Sequence, residues 1–568
     1  MKIGDCPYFP ALALCMLLAL LAQSEAAGSR FYVSARSGDD AAGGRSGEAA
    51  FKTLGRAFEE VRGGDTLIVM PGEYYTAPLV IADLESSPEN PVWILAEPRG
   101  QATISAAWPE AAVGEVKWTD EGGGIWSAPH GPMLFGSWDG RFLFRYMSVA
   151  DLKAAEVETR GSYGRVKGPT SGFAWEGDRI YVKLPGGADP NGERLIFSPP
   201  SWGEPTYTPV VRVHNSPGLI FDGLRIQASG TYGIGFDAAS THPIVRNCIF
   251  EYCRAALRLP SHSLVEWCEY TFPGFHAFSE EVRRRNGGRI VTYPLVKDYH
   301  PSNWYEGGIA SAAGQTEHPP VGCEFRYNFM HEVFDGETLG QFDDSESHHN
   351  VYLHCHDNCV ELEGWQEGYG SRNLRFHHNL LLGCPLGAIS HQNPTELVGP
   401  HYVYRNVVYG YDDYGWNPWT LIKSKCYEKG RGFYYYHNLF WVESAQPYWN
   451  ERGWPQDWLA TFDFRNNIFV FTSRLKRPAG PPSALESFRA AGNILMAPQA
   501  DAQTAQSFTR NGGRWFRNLD ELHLRDPASL DFALEPGSPA IDAGVSIAGF
   551  NDNARGAPDI GPFELGEE

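Results

Sequence analysis

The run Cys359-Val360-Glu361-Leu362-Glu363 places two carboxylates two residues apart between apolar neighbours. In a strand, successive side chains leave opposite faces. Val360 and Leu362 therefore point to a core, and Glu361 and Glu363 leave together towards solvent. Similar apolar segments recur downstream, in Gly387-Ala388-Ile389-Ser390-His391-Gln392 and in Leu421-Ile422-Lys423-Ser424-Lys425. Aligning Val360, Ile389 and Ile422 as one inward column puts Glu361, Ser390 and Lys423 in a second column, and Glu363, Gln392 and Lys425 in a third. The turn Val333-Phe334-Asp335-Gly336 brings Asp335 near Asp357. A slip of one residue would swap every face.

Asp335, Asp357, Glu361, Glu363 and Lys423 are the candidate catalytic residues. Two chemistries suit them. Hydrolysis of a glycosidic bond uses one protonated and one ionised carboxyl group, about 5 Å or about 6.5–9.5 Å apart. Clustered carboxylates raise one another's pKa, which is how one becomes a general acid. β-Elimination on a uronic-acid glycan needs a base, a neutralising cation and carboxylates that hold Ca²⁺. Lys423 and Arg405 would serve there as base and neutraliser. The same charges on adjacent rungs also suit plain cross-strand ion pairs.

These segments belong to a repeat. Asn328, Asn350, Asn379, Asn406, Asn438, Asn467 and Asn493 hold one place in successive units, at spacings of 22, 29, 27, 32, 29 and 26 residues. Strands flank each Asn, which marks a tight turn needing left-handed geometry or an amide to satisfy backbone groups. Stacked in register, the amides form a ladder. His348, His349, His377 and His378 precede ladder positions and read as structural. His391 falls on the inward face, and Arg405, directly before Asn406, also suits a structural role. The run His354-Cys355-His356-Asp357-Asn358-Cys359 lacks the second half of a zinc site, so no metal is assigned there.

A solenoid needs its open end covered. A helix from about Thr53 to Arg62, capped by Thr53 and ended by Gly63-Gly64, would cover it. Residues 112–200 change texture and read as an inserted small antiparallel β subdomain. Residues 273–320 interrupt the repeat with Arg283, Arg284, Arg285, Lys297, His300, Trp304, Tyr305 and Glu306. Long loops of this kind are commonly functional. Trp304, Tyr305, Arg284, Arg405 and Lys425 are the candidate substrate-binding residues.

The chain has 568 residues, 62 Gly, 40 Pro, 17 Trp and 27 Tyr, with net charge −21. That suits a large strand-rich protein. So acidic a chain is a poor binder of nucleic acid or anionic membranes, so no nucleic-acid partner is expected, and the charge argues mildly against a polyanionic substrate. Lys2, the apolar run 11–22 and the small residues at 24–29 form an export signal over residues 1–26, too short to span a bilayer. No membrane insertion is expected. Of ten Cys, Cys6 and Cys15 leave with the signal. The remaining eight suit disulfides or buried stacked thiols equally.

Three stretches carry a resemblance. Residues 30–75 are similar to the N-terminal cap of exported right-handed parallel β-helix proteins. EPGSPAIDAG (535–544) with ARGAPDIGPFE (554–564) resembles their C-terminal pattern. DNCVELEG, GAISHQ, GPHYVYRN and IKSK resemble a core pattern in which Asp357, Glu361, Gly399, Pro400, Arg405, Asn406 and Lys423 match and Asn358 departs. The resemblance is to the pectate-lyase-like superfamily of carbohydrate-active enzymes. It implies an all-β right-handed parallel β-helix; with the insert read from its texture at 112–200, the cap and first coils fall at 28–110 and the main helix at 205–568. The reading is a secreted or periplasmic monomer that cleaves a polysaccharide, hydrolase ahead of lyase. No cofactor is needed for hydrolysis; Ca²⁺ goes with the lyase. A non-catalytic adhesion β-helix is the alternative from another class.

Overall fold

The computed structural model describes residues 28–76, 78–160, 163–199, 209–299, 310–313, 319–363, 371–384, 387–392, 398–410, 420–424, 432–450, 458–475, 489–551 and 556–565. The chain winds as a right-handed parallel β-helix. One face is a 13-stranded sheet whose neighbours pair in parallel, beginning with Arg30–Val33 on Thr66–Val69 and ending with Phe462–Arg465 on Arg489–Ala491. The right-handed turn follows from strand twist, which lets a parallel return pack back onto the sheet in one sense only. Apolar side chains at alternate positions, among them Leu67, Ile94, Phe221, Val245, Val265, Phe325, Phe376 and Val403, fill the lumen.

At the open N-terminal end lies helix α1 (Leu54–Glu60). Thr53 Oγ1 accepts from Arg56 N at 3.2 Å, and Leu54, Ala57 and Phe58 are buried over the first coils. The helix is shorter than its expected span, because Val61 turns to extended backbone ahead of the two glycines.

Two excursions leave the coil. Strand Ala102–Ser105 pairs with Arg225–Gln227, and strand Leu79–Ala82 pairs with Val211–His214, so the chain between them lies outside the wound helix. That excursion folds as a seven-stranded sheet running from Thr119–Asp120 to Leu195–Phe197, with its own core of Trp118, Leu143, Phe173, Ile180 and Phe197. Its neighbours are antiparallel except for Arg141–Arg145 against Gly172–Glu176, which run parallel. The second excursion leaves after Glu269–Thr271 and carries helix α2 (Phe275–Arg285) and a single π-turn at Pro294–Asp298.

The Asn ladder forms, with a change in where the turn strain sits. The left-handed residue is the one before each ladder Asn: φ is 56° at Tyr327, 56° at His349, 54° at His378 and 53° at Arg405. Each Asn instead supplies hydrogen bonds. Asn350 N donates to Asn379 Oδ1 at 2.9 Å, and Asn379 N to Asn406 Oδ1 at 3.0 Å. Asn379 Nδ2 donates to Ser347 O and to Asn406 Oδ1, both at 3.1 Å. Cys268 stands in the same place one coil before Asn328, with its own N–H on Asn328 Oδ1 at 2.9 Å. Five cysteines are buried free thiols, and Cys359 and Cys384 form a disulfide. Cys426 lies outside the described residues.

Removing one rung of this ladder strands a buried donor, which costs about 1–3 kcal/mol beyond the bonds lost. Asn379→Ala is therefore expected to lower unfolding free energy by about 2–4 kcal/mol, read as a fall in denaturation midpoint. A loss under about 0.5 kcal/mol would show that the ladder is ornamental.

Candidate functional site: a buried carboxylate–lysine cluster

The third face of the coil is short. It consists of β1 (Glu337–Thr338), β2 (Asn358–Glu363), β3 (Gly387–Gln392), β4 (Thr420–Ser424) and the far half of β5 (Leu439–Asn450). Val360 pairs with Ile389 and Ile389 with Ile422; Glu361 pairs with Ser390 and Ser390 with Lys423. This is the register expected from alternation.

The surroundings differ from that expectation. Glu361 and Glu363 do not face solvent: they are 3% and 0% exposed, as buried as Asp335 (1%), Asp357 (0%) and Lys423 (1%). Alternation tells which side of a sheet a side chain leaves from. It does not tell what later segments lay over that side.

One such segment is the second excursion. The π-turn Pro294–Asp298 sends Lys297 onto the cluster, where its Nζ lies 2.6 Å from Asp357 Oδ2. Lys423 Nζ approaches the other oxygen, Asp357 Oδ1, at 3.4 Å. The aromatic rings of Tyr293 and Phe334 flank the Lys297 ammonium, with centroids 5.4 and 5.2 Å away. Asn358 stitches the rest together. Its Nδ2 donates to Asp335 Oδ1 at 3.4 Å and to Glu361 Oε1 at 3.0 Å, and its N–H also reaches Asp335 Oδ1 at 3.3 Å. Thr338 Oγ1 donates to Glu361 Oε2 at 3.4 Å, and Ser390 Oγ donates to Glu363 Oε1. Gly387 makes room: a Cβ there would lie 3.0 Å from Asn358 Oδ1 and 3.2 Å from Lys423 Cβ.

Four carboxyl groups thus share a buried site with two ammonium groups. A buried charge without a partner is costly, and a carboxyl responds by holding its proton. Asp335 takes that role. Burial and the neighbouring Asp357 push it up to about 6, against the opposing pull of Lys297 and Lys423. Its Oδ2, like Asn358 Oδ1, has no hydrogen-bond partner among the described residues. Lys297 shows the reverse balance. Burial disfavours its charge, but Asp357, Asp335 and Glu361 outweigh that and hold it firmly as an ammonium. On the lumen side, Glu337 is raised to about 7 by burial, while Ser347 and Tyr352 each donate to its Oε2 at 2.6 Å. It belongs to the core, as does His391, whose Nε2 lies 2.5 Å from Tyr435 OH.

Lys297 is delivered by a chain of contacts reaching back into the inserted subdomain. Tyr299 OH donates to Asp151 Oδ2 at 2.7 Å and accepts from Met147 N at 2.7 Å. Phe144 stacks on Phe278 of α2, and Thr170 N donates to Glu281 Oε1 at 2.8 Å.

Two of the residues expected to bind substrate stand elsewhere. Arg405 is buried and donates to Pro562 O at 2.9 Å and Glu564 Oε1 at 3.1 Å, so it pins the C-terminal segment; the reach of a guanidinium into the fold is invisible to local spacing. Arg284 is exposed on α2, with its Nε on Glu280 O of the same helix. Trp304, Tyr305 and Lys425 lie outside the described residues. Lys297 and Asn358 join the cluster, although neither stood among the candidate site residues. For Lys297 the available signal was a cation beside aromatic residues in a long excursion.

No family model matches the chain, and no curated relative matches it. Solved structures do. XylC in complex with xylose is 15% identical with a TM-score of 0.48, over 82% of this chain and 76% of that one. Pectate lyase Pel9A is 13% identical with a TM-score of 0.44, over 95% and 96%. A glycoside hydrolase is 11% identical with a TM-score of 0.47, over 84% and 98%. At these identities and scores the likenesses carry no inference about activity. Among the described residues, no helix is long and apolar enough to cross a membrane.

Removing one partner of a buried ion pair costs about 3–5 kcal/mol. Lys297→Met is expected to lose stability on that scale. It also deletes a positive charge that lowers Asp335, so Asp335 should titrate above about 6. A carboxyl raised in the folded state stabilises at low pH and loses that contribution as pH rises through its folded value. The variant's stability should therefore keep falling to higher pH than the parent's, as read from melting temperatures between pH 4 and 8. Coincident pH profiles would refute the coupling.

Proposed function

We propose that this protein is an exported glycoside hydrolase acting on a polysaccharide. The observation that carries the reading is the pair Asp335 and Glu361 on one Asn358 amide, with Asp335 kept protonated to about pH 6. Asp335 is the general acid, protonating the leaving oxygen from its buried Oδ2. Glu361 is its partner, as nucleophile or base. Because both accept from one nitrogen, their oxygens are separated by at most the sum of 3.4 and 3.0 Å. That suits the spacing of about 5 Å used with a covalent intermediate. Asp357 with Lys297 and Lys423 sets the field around them, and Glu363 with Ser390 braces the strand. Export and a glycan substrate rest on the N-terminal signal and on the sequence resemblance.

The lyase reading asks Lys423 to take a proton. A lysine beside a carboxylate is favoured as the ammonium, which cannot act as a base. An adhesion surface has no use for buried ionisable groups, whose desolvation is expensive.

The test is release of reducing ends from a panel of neutral and uronate polysaccharides, with absorbance near 235 nm followed in parallel. Reducing ends without absorbance are expected, with kcat/KM falling as pH rises above about 6 while Asp335 loses its proton. Asp335→Asn and Glu361→Gln should each cut kcat by about 10²–10⁴ while the protein stays folded. Rising absorbance abolished by Lys423→Ala would replace hydrolysis with elimination, and silence across the panel would favour the adhesin.

A further inference from the structure

We propose that Glu324, Glu346 and His348 form a site for a divalent transition-metal cation of the zinc class. The three residues stand on adjacent coils of the 13-stranded sheet, where Glu324 pairs with Glu346 and Arg326 with His348. One ligand atom from each lies within 4.8 Å of the other two, and all three residues are half-buried.

Three features suit this chemistry. First, His348 Nε2 is 3.2 Å from Glu324 Oε1. Bonds of about 2.0–2.1 Å in a tetrahedron separate neighbouring ligands by about 3.3–3.4 Å, so one edge of the polyhedron is already set. Second, two carboxylates directly opposite on neighbouring strands repel each other, and a dication between them removes that cost. Third, the next coil places another imidazole beside the site, outside the group of three. His377 Nε2 lies 3.5 Å from Glu346 Oε2, and its ring stacks on His348 at 4.9 Å.

The second nitrogen of each imidazole is engaged as well. His348 Nδ1 lies 2.7 Å from His349 Nδ1, and His377 Nδ1 lies 2.8 Å from His378 Nδ1. A partner on the far nitrogen is what orients a metal-binding imidazole, and here it turns both Nε2 atoms towards the carboxylates. Imidazole nitrogen mixed with carboxylate oxygen selects zinc, cobalt or nickel over calcium or magnesium. Arg326 also contacts Glu324 Oε1, at 2.7 Å, and is the cation that a metal must share with or displace. The site is independent of the carboxylate–lysine cluster, which lies on another face of the coil.

The experiment is titration of Zn²⁺ alone into the full chain after chelator treatment and dialysis, followed by calorimetry, with Co²⁺ as a spectroscopic probe. One saturable site is expected, with visible cobalt bands of the intensity that tetrahedral coordination gives. His348→Ala and Glu346→Gln should each weaken binding by about tenfold or more. Glu346→Gln keeps the side chain's shape, so it reports even if His348→Ala fails to fold. Absence of saturable binding below millimolar Zn²⁺ overturns the proposal, and so does unchanged binding by a folded Glu346→Gln.

Discussion

Coil-to-coil registration is the constraint on which everything else here depends. Parallel strands about 4.8 Å apart have no intrinsic means of choosing one register over the next. The lumen supplies part of the choice, since a one-residue slip would turn Val360, Ile389 and Ile422 outward. The Asn amides supply the rest. Each ladder Asn bonds the backbone N–H of the preceding one, so a slip at one coil breaks bonds at two. Because Glu361, Ser390 and Lys423 come from different coils, their meeting is a by-product of that ladder.

The buried cluster is expensive, and the fold meets the cost with parts from far along the chain. Asp357 receives one lysine from two coils later and a second from an excursion sixty residues earlier in the chain. That excursion is braced by the inserted subdomain, through Tyr299 on Asp151 and Phe144 on Phe278. The subdomain, whose role no motif announces, thereby helps to set the charge balance at Asp335. Even with both lysines, carboxyl groups outnumber ammonium groups, and protonation of Asp335 relieves the surplus.

Cysteine in this fold is mostly a packing residue. Cys248, Cys253, Cys268, Cys323 and Cys355 are buried thiols. Burial pushes the thiols of Cys248, Cys253, Cys323 and Cys355 up, which makes them poor nucleophiles. Cys268 takes the ladder place before Asn328, where its sulfur lies 3.5 Å from Val245 O, much as Asn328 Nδ2 meets Val265 O at 3.0 Å. A small polarizable side chain and an amide thus fill the same turn, the amide with stronger bonds.

By itself the sequence determined the winding, the ladder, the capping helix, and the column that joins Glu361 to Ser390 and Lys423. These follow from period-two alternation and a recurring Asn, which are local or evenly spaced signals. Tertiary structure alone decided that the column is buried, that Lys297 completes it, and that Arg405 serves the C-terminal segment. Those outcomes depend on where long excursions and chain ends come to rest. Asn358 illustrates the boundary. Its departure from the expected carboxylate reads in sequence as a defect. In the folded chain it is the amide that holds Asp335 and Glu361 together, because an amide can donate to two carboxylates where a carboxylate would repel them.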